Sequence, residues 1–140
     1  MLLINKEYER AIIQHIDNTK NDIRFTLFHD SFHSKVNGNV FDRYLLAVIK
    51  AQKRGVSIKI LCNNEKQVEK LRRYNIQVRK AKGFKTMHAK VFVFDQETMI
   101  LGSHNLTDNA VTTNLEISVI LTDKEIVNRF LKYFDIVWQS

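Results

Sequence analysis

Proline is absent from this 140-residue chain, glycine occurs four times and cysteine once. With no stretch rich in proline or glycine, and no repeat or low-complexity segment, nothing marks a linker, so one domain over residues 1–140 is expected. A lone thiol cannot close an internal disulfide; Cys62 ends the apolar run 56–62 and reads as strand packing. No apolar run approaches the roughly 20 residues that cross a bilayer, so no membrane partner is expected. The opening Met1-Leu2-Leu3-Ile4-Asn5-Lys6-Glu7 is too short and too soon charged for a secretory signal, which makes a cytoplasmic location the expectation. His29 and His33 have metal-pair spacing, but no cysteine or acidic cluster accompanies them, and no metal or other cofactor is expected.

What is present can build a core: hydrophobic residues make up 44% of the chain and charged residues 26%. The net charge of +7 is unevenly spread. Residues 66–90 hold nine lysines and arginines against the single acid Glu69, so the rest of the chain is close to neutral. Such a block is either a solvated helix face and loop or a surface that steers a polyanion.

Hydrophobic periodicity alternates between its two kinds. Helices are expected over residues 6–20, with Asn5 as cap, over 39–54, over 65–74, and from an Asp123 cap to the carboxyl end. Strands are expected over residues 22–29, 56–62, 76–80, 88–94, 98–101 and 115–121. The first half therefore reads β-α-β-α-β after a leading helix, while Asp95-Gln96-Glu97 reads as the tight turn of an antiparallel hairpin. The fold class is α/β, with a mixed, largely parallel sheet flanked by helices on both faces.

Six residues then stand out: His88, Lys90, Asp95, Gly102, Ser103 and Asn105, in the pattern H-x-K-x4-D-x6-G-S-x-N. Residues two apart on a strand share a face, so His88 and Lys90 point the same way. The hairpin brings Ser103 and Asn105 beside them. An imidazole that can attack phosphorus, an ammonium that can hold phosphate oxygens and two neutral donors together suit phosphodiester chemistry. Asp95 has the other parity and sits at the strand end; it either holds the hairpin or a neighbouring lysine, or touches phosphate. The pattern occurs once, whereas a second imidazole is normally needed to protonate the leaving oxygen. That arithmetic predicts a homodimer with one shared site.

With Leu106-Thr107 and Asn114-Leu115-Glu116, this pattern resembles the HKD motif of the phospholipase D superfamily, and the resemblance covers residues 87–120. With one motif per chain, the sequence resembles a subgroup of small, homodimeric bacterial endonucleases. The resemblance implies His88 as nucleophile through a phosphohistidine, with His88 of the second subunit as general acid and then base. It implies Lys90, Ser103 and Asn105 as phosphoryl ligands, Glu116 as hydrogen-bond partner of the histidine, and a reaction that needs no metal.

The motif does not choose a substrate. The basic block beside it favours nucleic acid, DNA or RNA, with Lys80, Lys82 and Lys85 as contacts. Phe84, set among these cations, suits stacking on a base or tucks into the core. His29 and His33 follow a strand at its carboxyl end, where α/β sheets often bind ligands, and are candidates to line the cleft. A lipid substrate has less support: the small domain leaves no room for a separate lipid pocket, and the apolar stripe of the last helix is needed to cover the sheet. A phospholipid phosphodiesterase and a nucleic-acid-binding module without turnover are the alternatives. His104, the variable position of the motif, reads as a bystander.

Overall fold

In a computed structural model that describes residues 1–30 and 39–140, the chain runs β1 (Leu2–Ile4), α1 (Glu7–Asn18), β2 (Asp22–Leu27), α2 (Val40–Lys53), β3 (Ser57–Cys62), α3 (Glu65–Arg72), β4 (Gln77–Lys80), β5 (Val91–Phe94), β6 (Thr98–Gly102), α4 (Asp108–Thr112), β7 (Ile117–Leu121) and α5 (Lys124–Trp138). The seven strands form one sheet in the order β1-β7-β6-β5-β2-β3-β4. The class is as expected: a mixed sheet with helices on both faces. Its parallel share is smaller, because only β2–β3 and β3–β4 pair in parallel. The pairs β2–β5, β5–β6, β6–β7 and β1–β7 are antiparallel. The reason is the hairpin: once β5 enters beside β2 in the opposite sense, short connections keep the later strands alternating.

The two faces are unequal. Tyr8, Ile12 and Ile16 of α1 join Phe41, Tyr44 and Val48 of α2 over Ile23, Phe25, Ile60 and Phe92. The opposite face is covered by α5, whose Val127 and Leu131 pack on Val91, Val93 and Met99. Each large side chain buried this way contributes about 1.5–3 kcal/mol, so these contacts dominate the packing. The apolar stripe of α5 does cover the sheet, while Ile126 in its first turn is exposed. Cys62 is free and buried, and burial pushes its thiol up to about 11.

Local departures have local causes. Asp95 and Gln96 both adopt positive φ, 53° and 58°, and Glu97 N–H donates to Phe94 O at 3.1 Å. That is the mirror-image turn which suits strand twist, made here without glycine. Asn5 does not cap α1, whose N-cap is Lys6. Its φ is 50°, and its side chain accepts from Glu116 N–H at 2.9 Å while its own N–H donates to Glu116 O at 3.0 Å. Asp123 caps α5 as expected, and Asn39 caps α2. The short elements β1 and α4 carry too little periodicity to be read in advance.

Candidate active site

The parallel strands β2, β3 and β4 end on one side of the sheet, and antiparallel pairing brings the start of β5, the end of β6 and the start of β7 to the same side. His88, Lys90, Ser103, Asn105 and Glu116 therefore converge there from distant parts of the chain.

Residues 88–90 were expected to extend β5, but the regular strand starts at Val91. Thr26 explains the break. Its hydroxyl donates to Ala89 O at 2.7 Å and accepts from Val91 N–H at 3.0 Å, standing between strands where a backbone pair would otherwise form. His88 and Lys90 nevertheless meet. The Lys90 ammonium donates to His88 O at 2.8 Å and lies 3.1 Å from Nδ1 and 3.3 Å from Nε2 of the ring. His88 is exposed. Its ring leans on Phe28, centroids 4.6 Å apart, and Lys90 Nζ lies 4.9 Å from the centre of the same ring. Partial burial holds the Lys90 ammonium below its usual pKa, with the charge of Glu116 opposing that shift. A phosphate beside it would offset the cost of a half-buried cation.

The second arm of the motif is bolted down. A Cβ on Gly102 would stand 2.4 Å from both Ile117 O and Ser118 Cα, so β6 and β7 can approach only at glycine. Ser103 N–H donates to Ile117 O at 3.0 Å. The Ser103 hydroxyl is exposed, but it accepts from Ile117 N–H at 3.0 Å and donates to Ile117 O at 3.3 Å, so its proton is engaged on β7. The carboxamide oxygen of Asn105 is buried without a hydrogen-bond partner among the described residues, in a small cavity it shares with Lys90, Phe28 and His29. That oxygen is an acceptor, so it is the amide nitrogen of the same group that can donate to a phosphoryl oxygen. His104 is no bystander: it is 1% exposed, stacks on Tyr8 with centroids 4.2 Å apart, and bonds at both nitrogens. Nε2 donates to Asn5 O at 2.9 Å, which leaves Nδ1 to accept from the Ser118 hydroxyl at 2.7 Å. Burial lowers its pKa against the Asn5 bond and the charge of Glu116.

The other expected residues divide. The Glu116 carboxylate accepts from Asn114 Nδ2 at 3.3 Å, not from His88, although its charge reaches Lys90. Asp95 lies beyond the far end of β5 from His88 and is not part of the site. It accepts from the N–H groups of Lys20 at 3.0 Å, Asn21 at 2.6 Å and Asp22 at 3.1 Å, tying the hairpin turn to the start of β2. Burial would raise its pKa, but these donors outweigh that and lower it. Among the expected contacts, His29 is exposed beside Phe28, their rings 3.9 Å apart, and lines the Asn105 cavity. His33 lies outside the described residues. Lys80 and Lys82 border a separate basic depression with Arg72 and Arg79, while Lys85 is exposed on the loop after β4.

Phe84 is not tucked into the core. It is 49% exposed on the lip of an apolar cleft that His88 also lines. The small domain was expected to leave no room for a separate lipid pocket, yet an apolar cleft does stand beside the motif. Sequence reasoning also missed Phe28, which supports both His88 and Lys90, and Asn5, which clamps Glu116. Only the position of Phe28 next to His29 at a strand end hinted at the first. Among the described residues, no cluster of three or more histidine, cysteine or acidic side chains could hold a metal, and no helix is long and apolar enough to cross a membrane.

The family described as cardiolipin synthase, PLD-like domain, matches residues 12–138. The mitochondrial cardiolipin hydrolase of the dog is 33% identical over 100 residues, which is 67% of this chain and 39% of that protein. A phospholipase D of Rickettsia bellii is 36% identical over 92 residues, covering 61% of this chain and 46% of that protein. This chain thus spans less than half the length of either relative. Two solved structures share its fold over nearly their whole length. Nuc of Salmonella typhimurium, a phospholipase D family member, has a TM-score of 0.80 at 22% identity, with 99% of this chain and 94% of that one covered. NucT of Helicobacter pylori has 0.82 at 19% identity, with 100% and 95% covered.

Proposed function

The chain belongs to the phospholipase D-like domain family, and we propose that it is a phosphodiesterase, a nuclease acting on DNA or RNA at a site shared by two subunits. The observation that carries this reading is the exposed His88 imidazole held against the Lys90 ammonium, which shares a small cavity with the carboxamide of Asn105. A His88 ring nitrogen attacks phosphorus, and the bond to the leaving oxygen breaks as the second subunit's imidazole gives that oxygen a proton. Water then attacks the phosphohistidine, the same imidazole takes its proton, and the P–N bond breaks. Lys90 and the amide nitrogen of Asn105, both donors, hold the equatorial oxygens. Ser103 joins them only if its hydroxyl leaves Ile117, and Glu116 steadies His88 through Lys90 or from across the dimer.

The cations of this chemistry are protein groups, so the reading asks for no metal. The basic depression at Lys80 and Lys82 and the names of the Nuc and NucT neighbours support a nucleic-acid substrate. The apolar cleft beside His88, with relatives named cardiolipin hydrolase, supports a second reading as a phospholipid phosphodiesterase. A cytoplasmic location has no support from those relatives, which are named mitochondrial.

The test is cleavage of plasmid, single-stranded DNA and RNA in EDTA, with His88→Ala as control and light scattering on the same sample. Cutting by a dimer, lost in the variant, is expected. Phosphatidic acid release from cardiolipin vesicles with no nucleic acid cut would favour the second reading, and a fully active monomer would end the shared-site mechanism.

A further inference from the structure

The cleft beside His88 has a volume of about 160 Å³ and is walled by Phe84, Met87, Phe130, Tyr133, Phe134 and Val137. Because His88 is on its wall, a group of the substrate next to the reacting diester can reach into the cleft. Besides His88 its side-chain polar groups are three hydroxyls: that of Thr26 is engaged with Ala89 and Val91, and those of Thr86 and Tyr133 are left. Such a surface holds a flat apolar ring by its faces and does not read its edge.

Two aromatics stand on the lip, Phe84 at 49% and Tyr133 at 54% exposure. Both are interleaved with cations. Lys82 and Lys85 flank Phe84 on the loop after β4, and Arg129 and Lys132 precede Tyr133 on α5, all four exposed. Exposed aromatics alternating with lysine and arginine match a polyanion that carries π faces, which is the chemistry of single-stranded nucleic acid. An acyl chain would fit the walls but would leave this interleaving unused.

We propose that this cleft receives the unpaired nucleobase next to the scissile phosphodiester, an inference that rests on the nuclease reading and sharpens it. The base must leave its stack to enter, so single strands are cut in preference to duplex. With hardly any donors or acceptors in the cleft, the preference among the four bases is weak.

The experiment walks one abasic residue along single-stranded DNA and RNA oligonucleotides of fixed sequence and maps each cut. In the wild-type protein, losing the base next to the cut slows cleavage there about tenfold, the loss expected for one stacked base. In Phe84→Ala and Tyr133→Ala the intact strand is already slowed by a similar factor, and the abasic residue adds nothing further. Phe84→Trp restores both the rate and the abasic penalty. Both side chains are half exposed, so folding should survive; thermal melting checks it, and the abasic series on the wild-type protein stands without the variants. Oligonucleotides cut at the same rate with and without the base overturn this inference and leave the nuclease reading intact. If no oligonucleotide is cut, that reading falls and this one with it. Hydrolysis of cardiolipin vesicles that is lost in Phe84→Ala, with no abasic effect, assigns the cleft to an acyl chain instead.

Discussion

His88 and His104 belong to one motif but live in opposite environments. The His88 imidazole is exposed, on a segment that Thr26 has pried from the sheet, with the Lys90 ammonium as its hydrogen-bond neighbour. The His104 imidazole is buried, stacked on Tyr8 and bonded at both nitrogens. The first arm leaves its polar groups available; the second spends them to hold Asn105 and the end of β6 in place. Reactive groups need unspent hydrogen-bonding capacity, and that is useful only beside a frame whose capacity is fully used.

The sharpest way to break this contrast is His88→Ala. Removing the nucleophile lowers turnover at least ~10³-fold, about 4 kcal/mol of transition-state stabilisation. The side chain is exposed, so the melting temperature holds. A wild-type-like rate would remove His88 from the mechanism.

The locked arm responds in the other currency. Gly102→Ala drives a Cβ against the backbone of Ile117 and Ser118, at 2.4 Å. The expected cost is about 3 kcal/mol in urea denaturation, at the upper end for overpacking. An unchanged midpoint would mean that β6 and β7 can part without loss.

His104→Gln is expected to cost about 2 kcal/mol, because buried partners on Ser118 and Asn5 lose good geometry. It also tests a pH effect of known sign. Burial depresses the folded pKa of His104 below the ordinary 6.5, so the unfolded chain binds a proton that the folded one refuses. Stability is full above pH 6.5 and declines as pH falls toward the lower folded value. The variant should lose that part of the decline in melting temperature between pH 7 and 5. An identical decline would show that other groups carry it.

Asp95→Asn separates frame from chemistry at the far end of β5. Losing the charge that accepts from three amides should cost about 1 kcal/mol. The folded carboxylate lies below the ordinary 3.8, so its stabilisation is lost only as pH falls below that value, and the variant's acid limb is shallower. Turnover stays near wild type; a collapse with the fold intact would return Asp95 to the mechanism.

The smallest effect per residue is expected from the basic rim. Changing Lys80, Lys82 and Lys85 to glutamine should flatten the log–log salt dependence of single-strand binding by about 0.7 for each contact removed. Polynucleotide cleavage should fall by a larger factor than turnover of a small nitrophenyl diester. An unchanged slope would make the cluster a solvated surface.

Composition and spacing by themselves determined a great deal here. Alternating periods placed most of the longer helices and strands, because each must hide one face at its own repeat. The motif of His88, Lys90, Gly102, Ser103 and Asn105 carried the resemblance to the family to which the chain belongs, since residue type and local order survive in sequence. The tertiary structure alone decided which groups are free. It turned Asp95 into a turn anchor, spent the Ser103 hydroxyl on β7, pointed Glu116 at Asn114, buried His104 and opened an apolar cleft at Phe84. Apart from the Glu116–Asn114 contact, which is local, each outcome depends on partners 14 or more residues away, or on strand order, and hydrogen-bond satisfaction is settled only when those partners meet.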